Sequence, residues 1–331
     1  FALPGLNPFI PRSTPIHTER PLLLIDEPGL QLYYAADVEF KRPQTTLRFR
    51  FVASRDLANL ESDLLLQFYR VCLLDALESA ANDAEIAGVS YRFSTALEGM
   101  TLTVSGFGDS AAKFAEHIAK HLLDFQISPE RFAALKERVI RSLRSYEQTE
   151  AYKLARNRAT ALAREFYYLP NEKLAHASSV TLEEIRDYVA QYFVSGKIES
   201  LIHGHTTPEE AVEIAQNIAN YVGAQSTAED ALLRRRHLQI TPGSTIIDTA
   251  KIKGANSAYW ALHVLPSESP KDWAASVVLS NFVSEPFYTE LRTKQQLGYI
   301  VGSGGSNSGQ QLQQIFVIQS STHAPDQLRE K

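Results

Sequence analysis

Two residues near the C-terminal end have the chemistry to act on a carbonyl under attack. Arg292 carries a permanent cation with five N–H donors, and Tyr299 carries a phenolic hydroxyl. Both are donors suited to the negative charge that develops on a tetrahedral intermediate. They lie in EPFYTELRTKQQLGY, residues 285–299, seven residues apart. In a helix that spacing is two turns, which puts both side chains on one side of the element. The same spacing also fits a surface arginine and a core tyrosine, and residue types alone do not choose between the two.

Other constellations are weaker. A helical zinc site of the H-x-x-E-H type needs two histidines on one face and a glutamate to activate water, and the chain has none. Lys113-Phe-Ala-Glu116-His117 keeps the Glu-His end but has lysine in place of the first ligand. His117 and His121 are one turn apart, with Ile118 where the zincin pattern needs glutamate, and read as two unrelated residues on an exposed helix face. His203 and His205 end a strand without a carboxylate or cysteine partner in view. No metal site is assigned to this chain. Nor is there a G-x-S-x-G. The run from Gly302 to Gly309 lacks the Lys-Ser/Thr that completes a phosphate loop, and reads as a mobile hairpin tip between YIV and IFVIQS.

Positioning such groups requires a folded scaffold, and 331 residues suffice for two domains with substantial cores. A net charge of −5, with 21% charged and 44% hydrophobic residues, gives no basic face for nucleic acid. One cysteine, Cys72, excludes an internal disulfide, and its apolar helical surroundings predict a buried, inert thiol. No run of about 18 apolar residues exists to span a membrane, and the N-terminus lacks the pattern of a signal peptide.

Four prolines mark residues 1–20 as an extended linker. Strands follow in LLLIDEPG, LQLYYAADV and TTLRFRFVAS, the last alternating Leu47, Phe49 and Phe51. Helical spacing of Leu60, Leu64, Phe68, Val71 and Leu74 predicts a helix over about 57–82. VSYRFSTALEGMTLTVSGF predicts a hairpin turning near Glu98-Gly99. Helices are then predicted over about 110–123, 129–167 and 181–194, the last opening with a Thr181/Glu184 capping box. The strand ESLIHGH and a helix from Pro208 to Tyr221 close this unit. Residues 223–237, with Arg234, Arg235 and Arg236, read as a solvated connection.

From 239 the order restarts. STIIDTAKI resembles LQLYYAADV, SAYWALHVLPSES resembles TTLRFRFVASRD, and an apolar helix follows over about 272–289. Gly88 and Gly298 fall at equivalent places, the latter as a left-handed helix cap. This is an internal repeat of roughly 210 residues. The expected fold class is α+β: two homologous units, 21–238 and 239–331, each a mostly antiparallel sheet packed by helices on one face, the second truncated. On that register Asn82 and Val89 stand in the first copy where Arg292 and Tyr299 stand in the second.

RTKQQLGYIV, together with FALPGLNPFIP at 1–11, AEIAGVSYRFSTALEGMTLTVSGF at 84–107 and IFVIQS at 315–320, resembles the insulin-degrading enzyme/pitrilysin family of inverzincin zinc metalloendopeptidases. The resemblance covers essentially the whole chain but only the C-terminal half of the family's architecture, its third and fourth domains. It implies one half of a hinged chamber that encloses peptides. It also implies a zinc ion held by the N-terminal catalytic half as partner, with no cofactor in this chain. Arg292 and Tyr299 match family positions that contact substrate and the oxyanion. Phe287, Tyr288 and Thr289 match chamber wall; Thr289 replaces an asparagine. A scaffold subunit, or a separately encoded half joining a catalytic chain, are the alternative readings, and a homodimer is open. The compartment is also open: periplasm for a bacterial pitrilysin-like protein, cytoplasm otherwise.

Overall fold

The computed structural model describes residues 20–223, 225, 228–265, 269–308 and 311–331, so nearly all of the proline-rich opening lies outside the described residues. The first unit comprises β1 (Leu22–Glu27), β2 (Leu30–Ala36), β3 (Gln44–Val52), α1 (Leu60–Ala76), α2 (Glu78–Ile86), β4 (Ser90–Ala96), β5 (Gly99–Phe107), α3 (Ser110–Leu123), α4 (Pro129–Arg144), α5 (Ala151–Ala163), α6 (Pro170–Ala177), α7 (Leu182–Val194), β6 (Lys197–Gly204) and α8 (Pro208–Val222). Beyond it lie β7 (Ser257–Val264), α9 (Pro270–Tyr288), β8 (Ile300–Ser308), β9 (Gln311–Ser320) and α10 (Pro325–Arg329).

The architecture is α+β. Six strands form one sheet in the order β1-β2-β6-β3-β5-β4, antiparallel except for β2 beside β6. Alternation sets its faces: Leu47, Phe49 and Phe51 of β3 are buried, as are Met100, Leu102 and Val104 of β5. They join Leu64, Phe68, Tyr69, Cys72 and Leu73 of α1 and Ile118 and Leu122 of α3 in one core. The Tyr192 hydroxyl ties helix to sheet, donating to Phe51 O at 2.7 Å and accepting from Met100 N at 3.0 Å.

Several helix boundaries differ from the sequence reading. The helix expected over 57–82 starts at Leu60, because Asn59 accepts from Ser62 N and caps it there, and it breaks at Leu77 into α1 and α2. The long helix expected over 129–167 is interrupted by a 3₁₀ turn at Ser145–Gln148 and an extended Thr149, giving α4 and α5, with α6 beyond. The Thr181/Glu184 capping box forms as expected. The arginine run is solvated in part, with Arg235 and Arg236 exposed, and is also tied to the first unit. Leu232 and Leu233 are buried, Arg234 pairs with Glu199 at 2.7 Å, and Arg235 pairs with Glu98 at 3.0 Å.

The second sheet has the order β7-β9-β8, all antiparallel. STIIDTAKI forms no strand. In the first unit the matching β2 is held between β1 and β6, and the described residues offer no such neighbours here. The glycine-rich run from Gly302 is no hairpin tip: through Ser308 it is β8, paired rung by rung with β9, while Gly309 lies outside the described residues. Helix α9 packs on β8, and α5 of the first unit packs on β7 and β9. Polar ties join the units: Gln319 accepts from Tyr152 N at 3.0 Å and donates to Glu150 at 2.7 Å, and Arg158 pairs with Asp248 at 2.6 Å. The two units bury apolar surface unequally. Helix α1 buries most of its large apolar side chains, whereas α9 buries only Ser276 and leaves Trp273 and Val278 each 54% exposed.

Candidate functional site

The stretch that carries Arg292 and Tyr299 folds differently from a capped α-helix. Pro286 lies inside α9 and has no N–H to give the preceding turn. Three residues after Pro286, Thr289–Lys294 widens into a π-helical turn, with Gln295 N bonded to Glu290 O at 3.0 Å. Such turns are rare and recur at functional sites. The chain then reverses at Gln296, whose φ of 54° is left-handed without being glycine. Gly298 is not the left-handed cap expected of it. Its role is close approach: a Cβ there would lie 1.8 Å from Gln319 O.

Two buried leucines hold this segment. Leu291 and Leu297, each 3% exposed, pack with Val301, Ile318 and Leu328 in the small second core. Arg292, next to the first anchor, donates from Nη1 to Gly298 O at 2.8 Å. Its Cζ lies 4.8 Å from the centroid of the Tyr299 ring, within cation–π range. Tyr299 is 80% exposed, so it is not a core aromatic. The structure therefore brings the two expected residues together, through a turn and a ring face and not through two turns of one helix. Contact with Gly298 uses one of the guanidinium's five donors. Beside them, hydrogen bonds from Lys294 and then Gln295 hold the Glu290 carboxyl below its usual range.

The three neighbouring candidates divide. Tyr288 is exposed, Phe287 is half-buried with its ring 5.1 Å from Phe316, and Thr289 donates to Glu285 at 2.9 Å across the start of the π turn. Pro286 and Gln296, which shape the turn, escaped the sequence reading; a proline inside an otherwise helical run was the available signal.

Elsewhere, among the described residues, no three histidine, cysteine or acidic side chains cluster as metal ligands. His117 and His121 are not unrelated: their rings lie 4.5 Å apart and His121 Nδ1 contacts His117 O at 2.8 Å. Burial, then the charge of His121, pushes His117 below its usual range. Burial raises the Cys72 thiol to about 12, which leaves it unreactive at neutral pH. Among the described residues, no helix is long and apolar enough to cross a membrane.

Comparison with known proteins places these features in context. Residues 1–176 match the middle or third domain of peptidase M16, and residues 179–330 match the peptidase M16 inactive domain. The insulin-degrading enzyme of Homo sapiens is 27% identical over 333 residues, covering 97% of this chain. Protease 3 of Salmonella typhi is 25% identical over 337 residues, covering 99%. The chain spans about a third of the length of these relatives, 32% and 34% respectively. A crystal structure of pitrilysin shares the fold at TM-score 0.84 and 22% identity, over 99% of this chain and 35% of that one.

Proposed function

The chain belongs to the M16 peptidase family, as a middle domain and an inactive domain, and from that premise we propose that it is the non-zinc-binding half of a zinc metalloendopeptidase. In this reading the other half supplies zinc, the water-activating base and the metal ligands. This chain supplies chamber wall, as two domains, 21–238 and 239–331, and it supplies two donors for the substrate. Arg292 holds the peptide backbone, and Tyr299 donates its hydroxyl to the oxyanion beside zinc. Phe287, Tyr288 and Thr289 line the approach.

The observation that carries the proposal is the exposed Tyr299 set against half-buried Arg292, which the π turn holds. A tyrosine 80% exposed, with a guanidinium 4.8 Å from its ring centroid, is not held by core packing. It makes sense as a donor held ready for a group from outside. Exposure also favours this reading over a pure scaffold.

The test is Tyr299→Phe in the two-half enzyme. A donor that acts on charge present mainly in the transition state is worth on the order of 10²–10³ in kcat when removed. The loss should fall on kcat and kcat/KM together, with KM and zinc content unchanged. Unchanged kcat would refute the donor role, and a rise in KM alone would make Tyr299 a binding contact.

A further inference from the structure

We propose that His117 and His121 of α3 form a two-histidine chelate for a divalent first-row transition ion, copper above all. The two lie one helical turn apart, the spacing that puts both side chains on one face. Their ring centroids are 4.5 Å apart, with the rings tilted by 36°. Two imidazoles on one ion, each bound through a nitrogen about 2.0–2.1 Å away, hold their centroids about 4.5 Å apart when the nitrogens are cis. The pair already stands at a chelating separation.

His121 is also set in the tautomer that a ligand needs. Its Nδ1 lies 2.8 Å from His117 O. A carbonyl only accepts, so in the neutral ring Nδ1 carries the proton and Nε2 keeps its lone pair. Metal-binding histidines are commonly held this way, by a bond from the ring nitrogen that faces away from the ion. His117 is oriented by a different contact: its ring lies within 7° of parallel to that of buried Phe114, at 6.2 Å. Neither nitrogen of His117, nor Nε2 of His121, has a hydrogen-bond partner among the described residues, and none of the three is sealed from solvent. The adjacent cation Lys120 is engaged elsewhere, its Nζ 5.2 Å from the centroid of the Tyr221 ring.

Other histidines are the internal comparison. His237 buries both ring nitrogens and has Arg164 and Arg235 beside it, so an ion would find no access and two cations. His203 and His205 are exposed at the end of β6 and just beyond it, and among the described residues no ring contact joins them. Nor does a third histidine, cysteine or acidic side chain join His117 and His121 among the described residues, so water completes the coordination. Two imidazoles with open positions suit copper(II), which heads the affinity order of the divalent first-row ions. Magnesium, which takes oxygen ligands, is refused.

Calorimetric titration of the EDTA-treated 331-residue chain with Cu²⁺, Zn²⁺ and Mg²⁺, in a buffer that does not chelate, tests the proposal. Copper should bind more tightly than zinc, and magnesium should give no heat. Loss of an outer hydrogen-bond partner alone costs about 10–100-fold in metal affinity, so His117→Gln and His121→Gln, which remove ligands, should each weaken copper binding by at least about tenfold. His176→Gln, at an exposed position of α6, should leave it unchanged. Substoichiometric Cu²⁺ should broaden the amide resonances of 114–124 before any others. Melting curves without metal report the fold; should His117→Gln fail to fold, His121→Gln and the broadening pattern carry the comparison. Absence of copper binding, equal affinity in His121→Gln and the parent, or broadening centred outside α3 would each overturn the proposal. It does not rest on the peptidase reading, and none of its outcomes involves Arg292, Tyr299 or turnover.

Discussion

Replacing Gly298 with alanine places one methyl group where the backbone of β9 already is. The new Cβ would lie 1.8 Å from Gln319 O, 2.8 Å from Gln319 C and 3.1 Å from Ser320 Cα. Real Cβ contacts essentially never fall below 3.0 Å, so the two strands must part by about 1.2 Å. No side chain can rotate to relieve this, because all three atoms are main chain. The ladder of β8 on β9 begins two residues later, at Ile300 opposite Gln319, and a gap of that size removes its first rung. Overpacking costs about 1–3 kcal/mol and a lost backbone bond about 1 kcal/mol more, so the expected loss is about 2–4 kcal/mol. The same retreat moves Gly298 O, now 2.8 Å from Arg292 Nη1, out of hydrogen-bond range. Hydrogen exchange read by mass spectrometry localises the damage: amides of 300–302 and 317–320 should lose protection while those of 45–52 in β3 keep theirs. Gly304→Ala, in the same strand with open space at its Cβ, is the matched control and should be neutral or slightly stabilising. Equal stability of the two variants would refute the close-approach account of Gly298.

Three further outcomes follow from the geometry. Gln296→Gly should stabilise the chain by about 1 kcal/mol in denaturant titration, since φ of 54° is strained for glutamine and free for glycine. His237 sits with both ring nitrogens buried and unbonded, and burial, then Arg164 and Arg235, push it below the usual 6.5; its neutral form is the folded one, so stability should be full above pH 6.5 and fall as pH drops from there, and His237→Leu should flatten the fall. Finally, Glu98→Gln should cost about 1 kcal/mol by urea titration, because Arg235, 3.0 Å from that mostly buried carboxylate, is itself exposed and turns to water when it loses its partner.

Elements whose signal is local were legible in the sequence. Alternation announced β3 and the β4–β5 hairpin, and the Thr181/Glu184 and Pro208 starts gave α7 and α8 nearly to the residue. What escaped depends on neighbours remote in sequence. STIIDTAKI carries strand-forming residues and forms no strand; among the described residues it lacks the two flanking strands that hold β2 in the first unit. Gly302–Ser308 carries loop-forming residues and is a strand, because β9 offers one. Arg234 and Arg235 read as solvated because Glu199 and Glu98 are distant in the chain. For the site, the pairing of Arg292 with Tyr299 was legible, but its mechanism was not: a proline followed by a π turn changes which residues face which side.

The strand starts, Ser90 two residues after Gly88 and Ile300 two residues after Gly298, keep the register of the repeat, and the left-handed residues offer a second one. Gly88, with φ of 79°, is followed by buried Val89, exposed Ser90, half-buried Tyr91 and, at the fifth place, buried Phe93. Gln296, with φ of 54°, is followed by buried Leu297, half-buried Gly298, exposed Tyr299 and, at the fifth place, buried Val301. Aligned on the left-handed residue, Gly88 falls opposite Gln296, Val89 opposite Leu297 and Tyr91 opposite Tyr299. Arg292 then corresponds to Ala84. Both units thus hold a tyrosine at this place, and surroundings separate them. In the first unit the Tyr91 ring packs 5.3 Å from Phe114 of α3, and burial raises its pKa. In the second, Tyr299 is 80% exposed, with the Arg292 guanidinium 4.8 Å from its ring centroid. Tyr91 is thus a packed residue of β4, while Tyr299 is an exposed residue just before β8. What distinguishes the two is a packed phenylalanine in one and an arginine three residues before the glutamine-rich turn in the other.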